Sequence, residues 1–249
     1  MTINKKSIYH SKNLDYEYYN RQLKNPYEST ISFFNFLNKK VGLKNKKIID
    51  LACGNGANLF YLKKNYAISK SYGIDQNATL LRKAKNYLKK NKIDNLDFIK
   101  GDIQNYNSKN FFRFECDGAT CIQTLSVLDD YKETITFAKK LKAKFICVNS
   151  LFWNGNIDFK ISVNFLKRNF REVKKINHYN IYSINHYKNF LKKAGYDKSY
   201  VFKFKNKNYL RTKNKNLMGS HTIKLNGKNA TRSGPLIMDW YFVLSLKKK

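Results

Sequence analysis

The sequence is poor in the residues that build covalent or metal-bound frameworks. Its four cysteines lie at positions 53, 116, 121 and 147, and no two of them form a Cys-x-x-Cys pair. This spacing argues against a zinc site and against the disulfide scaffold of a secreted protein. Long apolar runs are missing too: no stretch approaches the roughly 18 residues of a membrane span, and no signal-peptide core follows the first residues. We therefore predict a soluble cytoplasmic domain that binds no metal and has no membrane span.

Acidic residues and arginine are scarce as well. Asp and Glu number 17 against 49 Lys and Arg, so the formal net charge is +32, and only 7 of the cations are arginine. Arginine is the residue preferred for bidentate contacts to phosphate and guanine, and the lysines are spread along the chain rather than clustered. An A/T-rich genome would enrich lysine, asparagine, isoleucine and tyrosine together without selection for binding. Compositional drift is therefore favoured over a nucleic-acid partner, although an anionic substrate is attracted in either case.

With 42% apolar residues, the 249-residue chain can bury one good-sized core. From residue 46 to residue 149, short apolar strands alternate with helical patterns, which predicts a parallel sheet with helices on both faces. The predicted strands are Ile48–Leu51, Lys70–Asp75, Leu96–Lys100, Cys116–Ile122 and Phe145–Val148. The predicted helices between them are Ala57–Asn65, Ala78–Lys90 and Thr134–Leu141.

We expect one domain spanning the whole chain. Its four segments are an N-terminal helical lid (1–45), a core (46–149), an insertion (150–182) and a C-terminal part with a helix and antiparallel strands (183–249). Within the insertion, a helix is predicted near Ile161–Arg168 and a strand near Tyr179–Tyr182. The other predicted elements are a helix that follows Pro26, a helix at Ile184–Lys193 capped by Ser183, strands at Tyr200–Phe204 and Tyr241–Leu246, and a hairpin arm at Thr222–Leu225 that turns at Asn226 and Gly227.

The most informative stretch joins the first strand of the core to its first helix, and it reads Asp50-Leu51-Ala52-Cys53-Gly54-Asn55-Gly56. Glycines permit close approach of the backbone to a ligand, and the helix that follows offers free N–H groups at its start. The second strand ends at Asp75, where a carboxylate can accept hydrogen bonds from both hydroxyls of a ribose. A further acid, Asp102, follows the third strand. The pattern therefore places three acids at the carboxyl edge of the predicted sheet.

This arrangement resembles the class I S-adenosylmethionine-dependent methyltransferases, in motifs that cover residues 46–149. The first motif of that family is an acid followed by three alternating small residues, and Asp50, Ala52, Gly54 and Gly56 match it. The resemblance implies an α/β fold: a Rossmann-like, doubly wound, mostly parallel seven-stranded sheet with a C-terminal antiparallel hairpin and an insertion after strand 5. It also implies an enzyme, a methyltransferase, with S-adenosylmethionine as its cofactor.

The same resemblance implies further cofactor-binding positions. They are Tyr19 in the N-terminal lid, Asp75 at the ribose, Gln76 next to it, Asp102 near the adenine amino group, Ile103 against the adenine ring and Cys121 in the fourth motif beside the methyl donor. A nicotinamide enzyme would also carry an acid at the end of the second strand. Its G-x-G-x-x-G fingerprint, however, needs a third glycine where Leu59 stands.

A hydroxyl acceptor normally needs a base to remove its proton, whereas a neutral amine or an ionised acceptor does not. The chain has histidines only at positions 10, 178, 186 and 221. His178 lies in the insertion, where substrate-facing residues are expected, and His221 lies on the hairpin arm, so both are candidate catalytic residues. His186 lies within a predicted helix and is expected to pack or to be solvated. A catalyst that the sequence does not reveal is the remaining alternative.

The acceptor is narrowed by the near absence of proline. Methyltransferases that act on exocyclic amines of bases carry proline in the fourth motif, where Cys121-Ile122-Gln123-Thr124 stands here. The insertion and the segment Ser233–Tyr241 resemble parts of methyltransferases of surface-polysaccharide and sugar-nucleotide pathways. That second resemblance implies transfer to O or N of a small-molecule, sugar or glycan-linked acceptor, which we expect to be anionic. The alternatives are an RNA methyltransferase that uses its lysine-rich surface and a catalytically inactive cofactor-binding scaffold.

Overall fold

The structure, a computed structural model, describes residues 16–105, 115–166, 172–206 and 220–248. The helices are α1 (Tyr16–Lys24), α2 (Glu28–Val41), α3 (Ala57–Asn65), α4 (Ala78–Lys90), α5 (Lys132–Lys140) and α6 (Ile184–Lys193), with a 3-10 turn at Leu125–Val127. The strands are β1 (Lys47–Leu51), β2 (Lys70–Asp75), β3 (Leu96–Lys100), β4 (Gly118–Ile122), β5 (Phe145–Trp153), β6 (Ser162–Leu166), β7 (Glu172–His178), β8 (Tyr182–Ser183), β9 (Tyr196–Phe204), β10 (Ser220–Leu225), β11 (Lys228–Ser233), β12 (Leu236–Ile237) and β13 (Trp240–Lys247).

The central sheet has the strand order β3-β2-β1-β4-β5-β13-β9, and the two-residue strand β8 pairs with β5 off this path. Strands β1 to β5 are parallel to their neighbours, whereas β13 runs antiparallel to both β5 and β9. The expected fold is therefore confirmed: a mostly parallel, Rossmann-like sheet with an insertion after the fifth strand and a closing antiparallel pair.

Side chains alternate between the two faces along each strand, and here both faces are apolar. Helices therefore cover both faces of the sheet. On one face, called the α2 face here, Phe33 of α2 packs in one cluster with Leu59 of α3 and Leu81 of α4. On the other, called the α5 face, Ile135 of α5 and Leu191 of α6 belong to a second cluster. The core is therefore split into two layers by the sheet, and the carboxyl ends of the parallel strands all meet at one edge.

Local sequence explains two helix starts. The side chain of Asn77 accepts hydrogen bonds from the backbone N–H groups of Thr79 and Leu80, at 3.0 and 3.1 Å, and so caps α4. Ser183 caps α6 as predicted, because its hydroxyl accepts from the N–H of His186 at 3.2 Å. Both caps lie at the carboxyl edge of the sheet, where the strand before each helix ends.

Two long segments leave the sheet at that edge and return to it. The first excursion, residues 154–181, lies between the ends of β5 and β8 and contains the antiparallel pair β6 and β7. The second excursion, residues 205–239, contains the small sheet β10-β11-β12, and β9 ends opposite the start of β13. The excursions meet where a Cβ added at Gly234 would lie 2.8 Å from Cζ of Tyr179.

The predicted helix near Ile161–Arg168 is wrong: the described part of that segment contains the strand β6. Ile161 and Val163, two residues apart, both pack against the α2-face cluster, which is the period of a strand rather than of a helix. The strand predicted near Tyr179–Tyr182 is displaced. In the structure β7 ends at His178, and the next strand is the two-residue β8, which begins at Tyr182. The strands predicted at Lys70–Asp75 and Leu96–Lys100 are confirmed with the same ends as β2 and β3. The other predicted strands have shifted ends, and the largest shifts are in β5, which continues to Trp153, and in β9, which begins at Tyr196.

No helix in the described ranges is long and apolar enough to cross a membrane.

Candidate active site

The loop between β1 and α3 has a backbone that favours small residues. Ala52, Gly54 and Gly56 all have positive φ, at 60°, 58° and 79°. A Cβ at Gly56 would lie 2.3 Å from Cζ of Phe98, so that only glycine fits there without moving the ring. The three alternating small residues of the sequence motif are therefore explained by a loop that repeatedly enters the left-handed region.

Asp75, at the end of β2, is linked to this loop by a hydrogen bond. The backbone N–H of Gly54 donates to Oδ2 of Asp75 at 2.8 Å, and the N–H of Asn77 donates to Oδ1 at 2.7 Å. A carboxylate oxygen can accept two hydrogen bonds, so these bonds orient the group without excluding a diol as a further partner. The side chain is 9% exposed, which places it at the boundary between the core and the carboxyl edge.

The turn after β3 lies beside Asp75. The N–H of Gly101 donates to the backbone carbonyl of Asp75 at 2.9 Å. The next residue, Asp102, is half-buried, and its Oδ1 accepts from the N–H of Gln104 at 2.9 Å. Ile103 is buried in the α5-face cluster, and Gln76 is half-buried between Asp75 and the cap of α4. These predicted positions thus lie at the tips of neighbouring strands.

Asp50 lies deeper, inside β1. Its side chain is 1% exposed, and its Oδ1 accepts a hydrogen bond from the hydroxyl of Thr120 on β4 at 2.6 Å. The pKa of Asp50 is raised to about 7, chiefly by burial; the bond from Thr120 opposes this shift and the nearby charge of Asp75 adds to it. Through this buried hydrogen bond, Asp50 links the end of β1, where the glycine loop begins, to the neighbouring strand β4.

Cys121 and Tyr19, two further predicted cofactor positions, lie on β4 and on α1. Cys121 is fully buried in β4, and burial raises the pKa of its thiol well above its usual range. Tyr19 lies in α1 against the glycine loop: its backbone carbonyl accepts from Nδ2 of Asn55 at 3.0 Å, and a Cβ at Gly54 would lie 2.9 Å from its Cε1 atom. The helix α1, part of the predicted N-terminal lid, thus contacts the glycine loop.

The loop after β4 is held by the first excursion through Asn180, a residue that the sequence did not single out. The backbone N–H of Asn180 donates to the carbonyl of Ser126 at 2.6 Å, and its Nδ2 donates to the carbonyl of Leu128 at 2.8 Å. The hydroxyl of Tyr182 also donates to the carbonyl of Leu125, at 3.2 Å. The excursion and the fourth-motif loop therefore form one hydrogen-bonded unit at the carboxyl edge.

His178 lies in this unit, paired with an aspartate. Its Nε2 is 2.5 Å from Oδ1 of Asp129, and the backbone carbonyl of Asp129 accepts from Nζ of Lys160 at 2.9 Å. Sequence reasoning proposed His178 and missed Asp129, although an acidic pair directly after the fourth motif was visible at 129 and 130. The contact orients the imidazole, with its Nε2 directed at the carboxylate of Asp129.

His221 lies elsewhere, in the second excursion. It is 5% exposed on β10, directly opposite Arg232 of β11, and its Nδ1 has no hydrogen-bond partner among the described residues. Burial and the charge of Arg232 both lower its pKa. The third described histidine, His186, lies in α6 with its Nδ1 3.4 Å from Oδ1 of Asp158. The two candidate bases are therefore on different segments with opposite electrostatic surroundings.

Residues 43–208 match the profile of a protein family described as a methyltransferase domain. No curated protein gives a significant match.

Solved structures of low identity share the fold over most of the chain. The PH0226 protein from Pyrococcus horikoshii OT3 is 16% identical with a TM-score of 0.55, over 93% of this chain and 99% of that one. An S-adenosylmethionine-dependent methyltransferase from Clostridium acetobutylicum ATCC 824 is 12% identical with a TM-score of 0.55, over 94% and 98%. The YcgJ protein from Bacillus subtilis is 8% identical with a TM-score of 0.55, over 88% and 99%.

Proposed function

Because the chain belongs to the methyltransferase-domain family and is an enzyme with S-adenosylmethionine as its cofactor, we propose that it methylates a hydroxyl group of a sugar or glycan-linked small molecule. An amino group of the same class of acceptor is the alternative atom. The observation that carries the choice of oxygen is the His178–Asp129 pair, because only a hydroxyl acceptor requires a base. The excess of lysine favours an acceptor that is anionic elsewhere in its structure.

The residues of the glycine loop fit the cofactor. S-adenosylmethionine supplies a methyl group activated by a positively charged sulfur. Asp75 would bind the ribose hydroxyls, because its carboxylate is already oriented by the N–H of Gly54. Asp102 and the backbone of Ile103 would hold the adenine, and Gln76 would lie beside the ribose. The positive φ values at Gly54 and Gly56 let the loop turn tightly beside Asp75, where the cofactor would pack on the loop backbone.

Four more residues complete this assignment. Asp50 and Ala52 would act indirectly, by fixing the strand end and the first turn of the loop. Cys121 would line the strand that runs beside the methyl donor, and Tyr19 would close the loop from the N-terminal side. None of these four needs to titrate, since alignment and exclusion of water are the main requirements of a methyl displacement.

His178 would act as the general base. Its Nε2 faces the carboxylate of Asp129, so Nε2 carries the proton and Nδ1 accepts the proton of the acceptor hydroxyl. The negative charge of Asp129 then stabilises the imidazolium that forms. His221 is a weaker candidate, because the positive charge of Arg232 opposes an imidazolium beside it.

The two excursions favour a small acceptor over a long nucleic acid. Both extend from the carboxyl edge, and they meet at Tyr179 and Gly234, one residue beyond His178 and Ser233 respectively. Such a cover suits an acceptor enclosed on several sides, as most small-molecule sites are. The proposed pathway is the methylation of surface polysaccharide or of its sugar-nucleotide precursors.

The test is incubation of the protein with methyl-labelled S-adenosylmethionine and a fractionated extract of the source cell. Label is expected in the carbohydrate and sugar-nucleotide fractions, stable to mild base that would cleave methyl esters. Label confined to RNA, with transfer that falls steeply as salt rises, would establish the nucleic-acid alternative instead. Cofactor binding without transfer to any fraction would identify an inactive scaffold.

A further inference from the structure

The side chain of Asn149, in β5, is fully buried and unpaired. Its exposure is 0%, and neither Nδ2 nor Oδ1 has a hydrogen-bond partner in the described part of the chain. A carboxamide can donate two hydrogen bonds and accept two, and burying it with none made costs folding free energy. Such a group is rare in a native core and calls for a function that outweighs its cost.

Asn149 lies where β4 ends. It is opposite Ile122, the last residue of that strand, and its backbone carbonyl accepts from the N–H of Gln123 at 2.8 Å. Gln123 is the first residue of the fourth-motif loop, which the first excursion holds in place. The asparagine is therefore at the carboxyl edge, in the strand next to the one that leads into the proposed acceptor site.

Its side chain points to the α2 face. Cys147 and Leu151, two residues before and after it, both pack in the α2-face cluster, and side chains alternate along a strand. Asp50 and Thr120, the polar pair of β1 and β4, lie on the same face, because their neighbours along each strand belong to the other cluster. The edge of the sheet thus carries polar groups on this face in three adjacent strands.

The immediate surroundings of Asn149 do not explain it. On the same face, Ile122 of β4 and Phe242 of β13 flank it across the sheet, and both belong to the apolar cluster. An apolar side chain of similar volume would fill this position without leaving polar atoms unpaired. If this position served packing alone, an apolar residue would therefore be more stable there than asparagine.

We propose that Asn149 binds the methyl acceptor through its carboxamide, with Oδ1 accepting from one acceptor hydroxyl and Nδ2 donating to another polar oxygen. This inference rests on the proposed function and narrows it: the acceptor carries at least two neighbouring oxygen groups, as a sugar ring does. Because the carboxamide is covered in the free chain, the acceptor enters by displacing groups that lie over the α2 face at this edge. The unpaired polar atoms then gain partners on binding, which favours the bound state.

The test compares Asn149→Thr with Asn149→Val. The two side chains have the same shape and both suit a strand, so they differ only in a hydroxyl that can donate and accept. In the labelled-donor assay with the carbohydrate fraction, the Thr variant should transfer label at least tenfold faster than the Val variant, at equal affinity for S-adenosylmethionine. Equal transfer by the two variants would overturn the inference.

Ser71→Ala serves as the matched control. Ser71 is also fully buried with an unpaired hydroxyl, but it lies near the amino end of β2, away from the carboxyl edge. Its substitution should leave transfer unchanged and should not lower the urea midpoint. If it reduces transfer as much as Asn149→Val does, unpaired core polar groups act through general packing, and the inference is wrong.

Unfolding by urea separates binding from an internal structural bond. The Val variant should unfold at the same urea concentration as the Thr variant or a higher one, because the hydroxyl has no internal partner. A clearly higher midpoint for the Thr variant would show that the site hydrogen-bonds within the protein or to an enclosed water, and would overturn the inference. Absence of transfer by the wild-type chain to any fraction would instead overturn the proposed function, and this inference with it.

Discussion

The backbone N–H of Gly54 donates a hydrogen bond of 2.8 Å to the carboxylate of Asp75, joining the glycine loop to the tip of the neighbouring strand. This contact fixes the position of a negative charge beside a loop in which a side chain at Gly56 would collide with Phe98. The two halves of the proposed cofactor site are therefore assembled before any ligand binds. Preorganisation of this kind lowers the cost of ordering the site on binding.

Substitution of Asp75 tests that assembly. Asp75→Ala should weaken S-adenosylmethionine binding about 100-fold, because two charge-assisted hydrogen bonds to the ribose are lost. Asp75→Asn keeps the shape and one acceptor oxygen, and should lose less. Calorimetric titration measures both, and the control Asp97→Asn, an exposed acid on β3 paired with Lys70, should bind as the wild type does. Unchanged affinity of Asp75→Ala for S-adenosylmethionine would show that this carboxylate does not bind the ribose.

Gly56→Ala tests the shape of the loop. The variant should lose about 3 kcal/mol of unfolding free energy, since left-handed backbone costs an alanine about 1 kcal/mol and the overlap with Phe98 adds the rest. The matched control is Gly227→Ala in the turn between β10 and β11, where φ is also positive, at 74°, but no atom lies within 4 Å of the added Cβ. Urea unfolding should show only about 1 kcal/mol for that control. Equal losses would mean that the ring moves aside freely.

The buried carboxyl of Asp50 predicts a pH dependence of stability. Its pKa in the folded chain is about 7, above the ordinary value of 3.8, so the folded state holds a proton that the unfolded state releases. Stability from this group is therefore present at acidic pH and is lost as the pH rises from about 4 to about 7.

Asp50→Asn removes this titration and keeps a similar shape. The stability of the variant relative to the wild type should increase between pH 5 and pH 8, by an amount on the order of 2 kcal/mol. Urea unfolding of both proteins at the two pH values measures the change, and contributions from all other groups cancel in the comparison. A relative stability that does not change with pH would show that Asp50 stays ionised in the fold.

The proposed base predicts a contrast between two histidines that each face an aspartate. His178→Ala should lower kcat about 10²- to 10⁴-fold at saturating cofactor, because the acceptor hydroxyl loses its proton acceptor. Asp129→Asn should lower kcat about tenfold, through loss of the charge that stabilises the imidazolium. His186→Ala, which removes the histidine beside Asp158 on α6, should leave kcat unchanged.

The affinity for S-adenosylmethionine should be the same in all these variants, which separates catalysis from folding. His221→Ala, assayed alongside, should keep most of the activity. If His221→Ala abolishes transfer while His178→Ala does not, the assignment of the base is reversed. Full activity in both would show that no histidine acts as the base.

The core of the fold could be predicted because its signals are local. The first strand, which contains Asp50, the alternating small residues after it and the acid at Asp75 can each be recognised from consecutive residues. The structure places Asp50 and Asp75 on adjacent parallel strands, as predicted. The helix cap at Ser183 and the turn after β10 are likewise encoded by a few consecutive residues. Each of these features depends on backbone chemistry within a few residues.

The parts that sequence could not give depend on contacts between distant segments. The segment at 162–166 has few residues with a clear period, and its pairing with β7 decides that it is a strand. Asp129 becomes a candidate site residue only because His178, 49 residues later in the chain, lies next to it in the fold. Asn149 reads as an ordinary residue in an apolar strand until burial and missing partners are seen.

A crystal structure of the chain grown with S-adenosylhomocysteine would test the central claim most directly. The account predicts the ribose hydroxyls on the carboxylate of Asp75, the adenine beside Asp102 and Ile103, and the sulfur facing the end of β4. A nucleoside bound away from the loop at residues 52–56, or no nucleoside at saturating concentration, would contradict it.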